Sequence, residues 1–202
     1  TANAATITTG TLADVVVGGA GIDTIDLGSD TAIDNVTLDK VAIAGSAAGA
    51  DIITNFTAGT DNIIALDSSY AFSNGSSDGT VVLATHGTTL DGAHGANNNF
   101  TIATIGANVT GTHTITTFLA GGSTIAQLEG EIATRVGAAT NAAFANTDKF
   151  LVAIDDGAHT ALVHVESAAD GNAIGVAELS VIGILVGVTD ATGLAAGDFA
   201  FS

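Results

Sequence analysis

Gly18-Gly19-Ala20-Gly21-Ile22-Asp23-Thr24-Ile25-Asp26 follows the nine-residue pattern G-G-x-G-x-D-x-U-x, with Ile25 as the apolar U. Glycines admit the positive φ of a tight turn and let backbone carbonyls approach a common point. Asp23 adds a carboxylate, which completes the all-oxygen surroundings that a hard divalent cation such as calcium prefers. The chain then leaves the turn as a short strand with Ile25 pointing inward. The stretch predicts one turn-and-strand unit of a parallel β-roll, with Gly19 and Gly21 offering carbonyls and Asp23 the charge.

The repeat extends a short way in each direction. Asp14 stands nine residues before Asp23, and Gly10 and Val16 stand nine before Gly19 and Ile25. Gly10 to Val16 is a degenerate earlier coil of the same kind. Ala32 occupies the next aspartate position, flanked by Asp30 and Asp34, so the strict nine-residue spacing stops there. Val36-Thr37-Leu38 and Val41-Ala42-Ile43 read as short strands, and Asp51 to Ile64 as strand, turn, strand with Asp51 and Asp61 at strand edges. A truncated roll with one to three ions is expected, using Asp14, Asp23 and Asp26, with Asp51 and Asp61 supplying a closing site. If the glycine stretch is only a turn, Asp23 is a solvated turn residue.

The composition points the same way. The chain has 202 residues, 21 acidic and three basic, for a formal net charge of −18, and 47% of it is hydrophobic with 26 glycines. That much apolar surface supports a buried core and argues against a disordered acidic tail. With Lys40, Arg135 and Lys149 as its cations, the surface is a poor match for nucleic acid or anionic membranes and a good one for cations. Two carboxylates about 4 Å apart repel by roughly 4 kcal/mol at an effective dielectric of 20, and a divalent ion between them reverses the sign. The plain alternative is that the acids serve solubility. Cysteine is absent, which excludes disulfides and thiolate metal sites. No run reaches the ~20 apolar residues of a membrane-spanning helix, so no membrane insertion is expected. Thr1 is not methionine, so the numbering is expected to start inside a longer chain or after loss of a front part.

Farther along, Val81 to Ala84, Phe100 to Ile105 and Thr112 to Phe118 read as strands, the last on its threonine enrichment. Glycines such as Gly92, Gly95 and Gly106 punctuate them as turns. Ile125, Leu128, Ile132 and Val136 recur at helical spacing, and Thr124 with Gln127 forms a capping box, which predicts a helix over about 123–145. Lys149 to Ile154 and Thr160 to Val165 flank Asp155-Asp156-Gly157 as a hairpin. Asp170-Gly171-Asn172 reads as a turn and Leu179 to Val188 as an apolar strand. The expected fold is mainly β. A β-roll or β-helix-like part with calcium turns spans 1–67, and a β-sandwich-like part with one helix spans 68–202.

Three passages resemble the repeats-in-toxin (RTX) proteins exported by bacterial type I secretion. They are the nonapeptide Gly18 to Asp26, the segment Asp51 to Ile64 (D-x-I-x-x-F-x-x-G-x-D-x-I), and Asp148 to Ser202 with its closing D-F-A-F. The resemblance implies calcium-driven folding outside the cell and an uncleaved C-terminal secretion signal. The family's rolls use several consecutive repeats, and this chain has one full repeat and one degenerate one.

An active site is not expected. His86, His94, His113, His159 and His164 form no H-E-x-x-H and no i, i+4 zinc pair, and no G-x-S-x-G is present. His86 and His94, with Asp91 between them, leave a loop zinc site open. The leading expectation is an extracellular or cell-surface structural protein that binds calcium and forms homo-oligomers or polymers through sheet edges, as a lattice or a fibre. The alternatives are the calcium-binding secretion module of a larger enzyme or toxin, and a surface adhesin that binds through Ser68 to Gly122.

Overall fold

The computed structural model describes residues 4–19, 21–38, 50–66, 81–85, 100–105, 109–139, 149–166 and 174–201. The expected strand at 41–43, the turns around Gly92, Gly95, Gly106 and 170–172, and both His86 and His94 lie outside them.

The first six strands are β1 (Thr6–Thr8), β2 (Val15–Val17), β3 (Thr24–Asp26), β4 (Asn35–Thr37), β5 (Asp51–Thr54) and β6 (Asn62–Leu66). They alternate between two sheets. β1, β3 and β5 pair in parallel in a large sheet, and β2, β4 and β6 pair in parallel in a small one. Thr6 stands opposite Thr24, eighteen residues on, which equals two nonapeptides. Later coils are longer: Val15 stands opposite Asn35 and Thr24 opposite Ile52.

Each three-residue strand turns its middle aliphatic inward, because alternate side chains face opposite sides of a sheet. Ile7, Ile25 and Ile53 therefore stack along the large sheet, and Val16, Val36 and Ile63 along the small one. Ile25, Val36, Ile53 and Ile63 are completely buried. Burying each such side chain stabilises the fold by about 1.5–3 kcal/mol.

The large sheet does not stop at β5. Strands β7 (Val81–Thr85), β8 (Phe100–Ile105), β9 (Lys149–Asp155), β10 (His159–Glu166) and β11 (Leu179–Val186) continue it in the order β1-β3-β5-β11-β10-β9-β8-β7. The join is β5 against β11, parallel, with Asp51 opposite Gly183. β9 and β10 form the expected antiparallel hairpin around Asp155 to Gly157. The strands beyond residue 68 thus extend an existing sheet, where a sandwich-like unit was expected.

Helix α1 (Ile115–Leu119) and helix α2 (Ile125–Ala139) cover one face of this sheet. α2 begins where the capping box requires. The Thr124 N–H donates to Gln127 Oε1 (2.8 Å) and the Gln127 N–H to Thr124 Oγ1 (3.3 Å). Ile125, Leu128, Ile132 and Val136 all face the core. α1 corrects the expected strand at 112–118. Thr114 caps it by accepting the Thr117 N–H, and Asp156 accepts both the N–H (2.7 Å) and the hydroxyl (2.8 Å) of Thr116. A carboxylate at a helix N-terminus outweighs the weak β preference of threonine.

β12 (Phe199–Phe201) closes the small sheet, parallel to β6, giving the order β12-β6-β4-β2. The layers are helices, large sheet and small sheet, with one core on each face of the large sheet. Among the described residues no helix is long and apolar enough to cross a membrane.

Candidate functional site: two columns of aspartates

A chain that alternates between two facing sheets makes its turns on two opposite flanks. Turns leading from the small sheet to the large one end at Asp23 and Asp51. Those leading from the large sheet to the small one end at Asp14, Asp34 and Asp61. The expected ligands are thereby divided. Asp23 lies with Asp51, while Asp14 lies with Asp61 in a column whose middle member is Asp34. Asp14 and Asp23 are not brought together, nor are Asp51 and Asp61. Asp26 sits at the end of β3, where Oδ1 accepts the Gly28 N–H (3.0 Å) and the Asn55 amide (2.7 Å). The Asn55 amide, seconded by the Gly28 N–H, holds the Asp26 carboxyl below its ordinary value.

Both columns follow one rule. The carboxylate of each turn aspartate after Asp14 accepts a backbone N–H from the coil before it. Asp23 Oδ1 takes the Ala5 N–H, and Asp51 Oδ1 takes the Asp23 N–H at 2.9 Å. Across the molecule, Asp34 Oδ1 takes the Asp14 N–H (2.9 Å) and Asp61 Oδ1 takes the Asp34 N–H (3.1 Å). Asp198, just before β12, extends that column: Oδ1 accepts the Gly59 N–H and Oδ2 the Ala195 N–H. These bonds satisfy backbone donors that a tight turn would otherwise bury unpaired.

Sequence spacing does not reveal Asp34 and Asp198 as column members, because the nine-residue period has lapsed before either. A shorter signal marks the roll positions: an aspartate followed two residues later by an inward aliphatic. Asp14/Val16, Asp23/Ile25, Asp34/Val36, Asp51/Ile53 and Asp61/Ile63 all obey it.

The stacking has an electrostatic consequence. Asp23, Asp34, Asp51, Asp61 and Asp198 are all buried. Burial, reinforced by the charges of Asp61, Asp30 and Asp14, pushes the Asp34 carboxyl above its ordinary value, against the pull of the Asp14 N–H. Loss of water penalises the charged form, and like charges nearby add to the penalty.

The first flank carries the sharper feature. Gly19 and Gly21 have φ of 86° and 144°, the positive values that make glycine necessary in this turn. Gly18 is needed for space. A Cβ there would lie 2.8 Å from Asp23 Oδ2 and 2.9 Å from Asp51 Oδ2. Two carboxylate oxygens from consecutive coils therefore converge on one small cradle. Asp23 is fully buried, and its Oδ2 has no hydrogen-bond partner. A buried acceptor left without a donor is costly, and a cation is what such an arrangement accommodates. The donors are hard oxygens, the type calcium takes. Asp23 and Asp51, whose Oδ2 atoms converge at Gly18, are the residues that would hold such an ion. Among the described residues no three His, Cys, Asp or Glu side chains form a group that could hold a metal ion.

Nδ1 of His159 accepts the Gly187 N–H (3.0 Å), and His164 is fully buried within β10. Asp155 accepts N–H groups from Gly157 (3.0 Å) and Ala191 (3.1 Å), which pins the hairpin turn to the segment after β11.

Compared with family models, curated proteins and solved structures, this chain has no match.

Proposed function

We propose that this chain is a calcium-stabilised structural protein of the RTX type, exported from a bacterium and assembling with copies of itself at or beyond the cell surface. The observation that carries the reading is the cradle at Gly18, where the partnerless Asp23 Oδ2 and the Asp51 carboxylate meet. The alternation of β1 to β6 between two parallel-paired sheets supports reading residues 1–67 as a short β-roll. The carboxylate columns support cation dependence: without an ion, burial sets like charges one coil apart. Calcium held by Asp23 and Asp51 would supply positive charge where two carboxylates meet. Exposed strand edges support assembly.

The magnitudes suit a switch. Extracellular calcium modules bind with dissociation constants of roughly 10⁻⁴ to 10⁻³ M. A tenfold excess over such a value stabilises by about 1.4 kcal/mol per site, enough to order a marginal coil where calcium is plentiful and leave it loose where calcium is scarce. Chelator titration followed by far-UV circular dichroism and electron microscopy is the test. Strand signal and assemblies that appear with millimolar calcium and disappear in EGTA are expected. Retention of both in excess EGTA overturns the proposal.

A further inference from the structure

Asp51 holds two positions at once. It is half of the Gly18 cradle, and it is the first residue of β5, the strand through which the large sheet passes from the roll to its later strands. Its carboxylate takes the Asp23 N–H (2.9 Å), and the neighbouring Ile52 N–H donates to the Asp23 carbonyl (2.7 Å). On the other side of β5, Asp51 stands opposite Gly183 of β11. The electrostatic conflict in the cradle is therefore carried by the residue that begins the seam between β5 and β11.

That seam is short. β11 meets β5 along Gly183 to Leu185, whereas it pairs with β10 from Leu179 to Val186. Leu38, just past β4, fills the space above it: a Cβ on Gly183 would lie 2.9 Å from Leu38 Cδ1.

The two cores depend on the seam unequally. Among the described residues, every buried member of the helix-side core except Ala50 lies between Val109 and Ile184. Antiparallel pairing joins β9 to β10 and β10 to β11 beneath the two helices. A stretch of this length can hold a core of its own. The far-side core is shared. Ile25, Ile53 and Ile63 of the roll and Phe199 of β12 pack in one cluster with Leu162 and Leu185 of the large sheet. That cluster exists only while the roll lies closed on the sheet.

We infer that the cradle is a calcium-operated clasp. Loading of Asp23 and Asp51 closes the roll and β12 onto the large sheet, while the unit of α1, α2 and β9 to β11 stays folded with the clasp open. Cooperative units within one native structure open at different free energies. The strand signal gained with calcium is then that of the roll, laid over a constant contribution from β9 to β11. An open clasp bares the apolar face that carries Leu162 and Leu185. The inference rests on the calcium reading above and specifies which part of the molecule the ion controls.

Hydrogen exchange of the 202-residue chain in excess EGTA and across a calcium series tests it. Exchange in β3 to β6 should slow as calcium rises, by about tenfold at a tenfold excess over the dissociation constant. Amides of α2, β9 and β10 should change less than twofold. Asp23→Asn should abolish the response of β3 to β6 and leave α2 as in the parent. By reciprocity, whatever loosens the seam weakens the hold on the ion. Gly183→Ala, whose Cβ meets Leu38 and Leu162, should raise the calcium midpoint for protection of β3 to β6 at least threefold. An unchanged midpoint, or α2 and β9 losing protection together with the roll in EGTA, overturns the clasp and leaves calcium binding standing. Exchange that is the same with and without calcium throughout the chain overturns both.

Discussion

The N–H of Asp23 donates to Oδ1 of Asp51 at 2.9 Å, so the residue that lends its carboxylate to the cradle is itself held in place by the next one. The pair shares one hydrogen bond and one electrostatic conflict. Its geometry survives only if the second carboxylate stays where the first needs it.

Asp23→Asn separates the conflict from the ion. In EGTA the variant should match or exceed the parent in denaturant midpoint, because one of two facing charges is gone. In tenfold excess calcium it should lack the parent's gain of about 1.4 kcal/mol. Paired urea titrations with and without calcium check this, and an equal calcium response in both proteins contradicts it.

Gly18→Ala fills the cradle with a methyl group placed 2.8 and 2.9 Å from the two oxygens. Overpacking of this kind costs about 1–3 kcal/mol. The variant should be less stable than the parent and should also lose most of its calcium response. Gly193→Ala is the control, since a Cβ there meets nothing within 4 Å.

Phe199→Ala removes a nearly buried ring from the strand that closes the small sheet. Large-to-small changes at such sites cost about 3–5 kcal/mol. The loss should be read most directly at β6, whose amides should exchange faster than those of the distant α2.

Two carboxyls far from the cradle set opposite pH dependences. Burial raises the Glu129 carboxyl, against N–H donation from Val181 and a hydrogen bond from Ser180. A raised carboxyl binds its proton more tightly in the fold than in the unfolded chain. Its stabilising contribution is therefore full at low pH and is lost as pH rises through the folded value. Glu129→Gln should raise stability at pH 7 and flatten that slope. For Asp156, burial raises the carboxyl but is outweighed by donation from the Thr116 N–H and hydroxyl and the N–H groups of His159 and Ala158, so the net shift is downward. Asp156→Asn should cost about 1 kcal/mol at pH 7 once solvent screening of this partly exposed carboxylate is counted, with the deficit closing as pH falls through the carboxylate range. Urea midpoints from pH 3 to 8 test both.

What the sequence revealed depended on whether the signal was local. The Gly18 to Asp26 turn and strand, the helix expected at about 123–145 and described at 125–139 with its cap, and the 149–166 hairpin each rest on contacts within a few residues. They stand in the structure as expected. The 112–118 segment misleads because its threonines mimic a strand, while the group that decides its fate, Asp156, lies forty residues away. The association of β5 with β11 is equally hidden, since neither strand carries a mark of its partner. In the columns, Asp23 is legible from its nonapeptide. Asp34 and Asp198 are not, because coil length varies while the aspartate keeps its place before each strand.

The small sheet takes β2, β4 and β6 from the first third of the chain and β12 from residues 199–201. Its completion is therefore an event in time as well as in space. A polypeptide delivered from its front end carries an unfinished flank until residues 199–201 arrive, whereas one delivered in the opposite direction brings the closing piece before the strands it must cover.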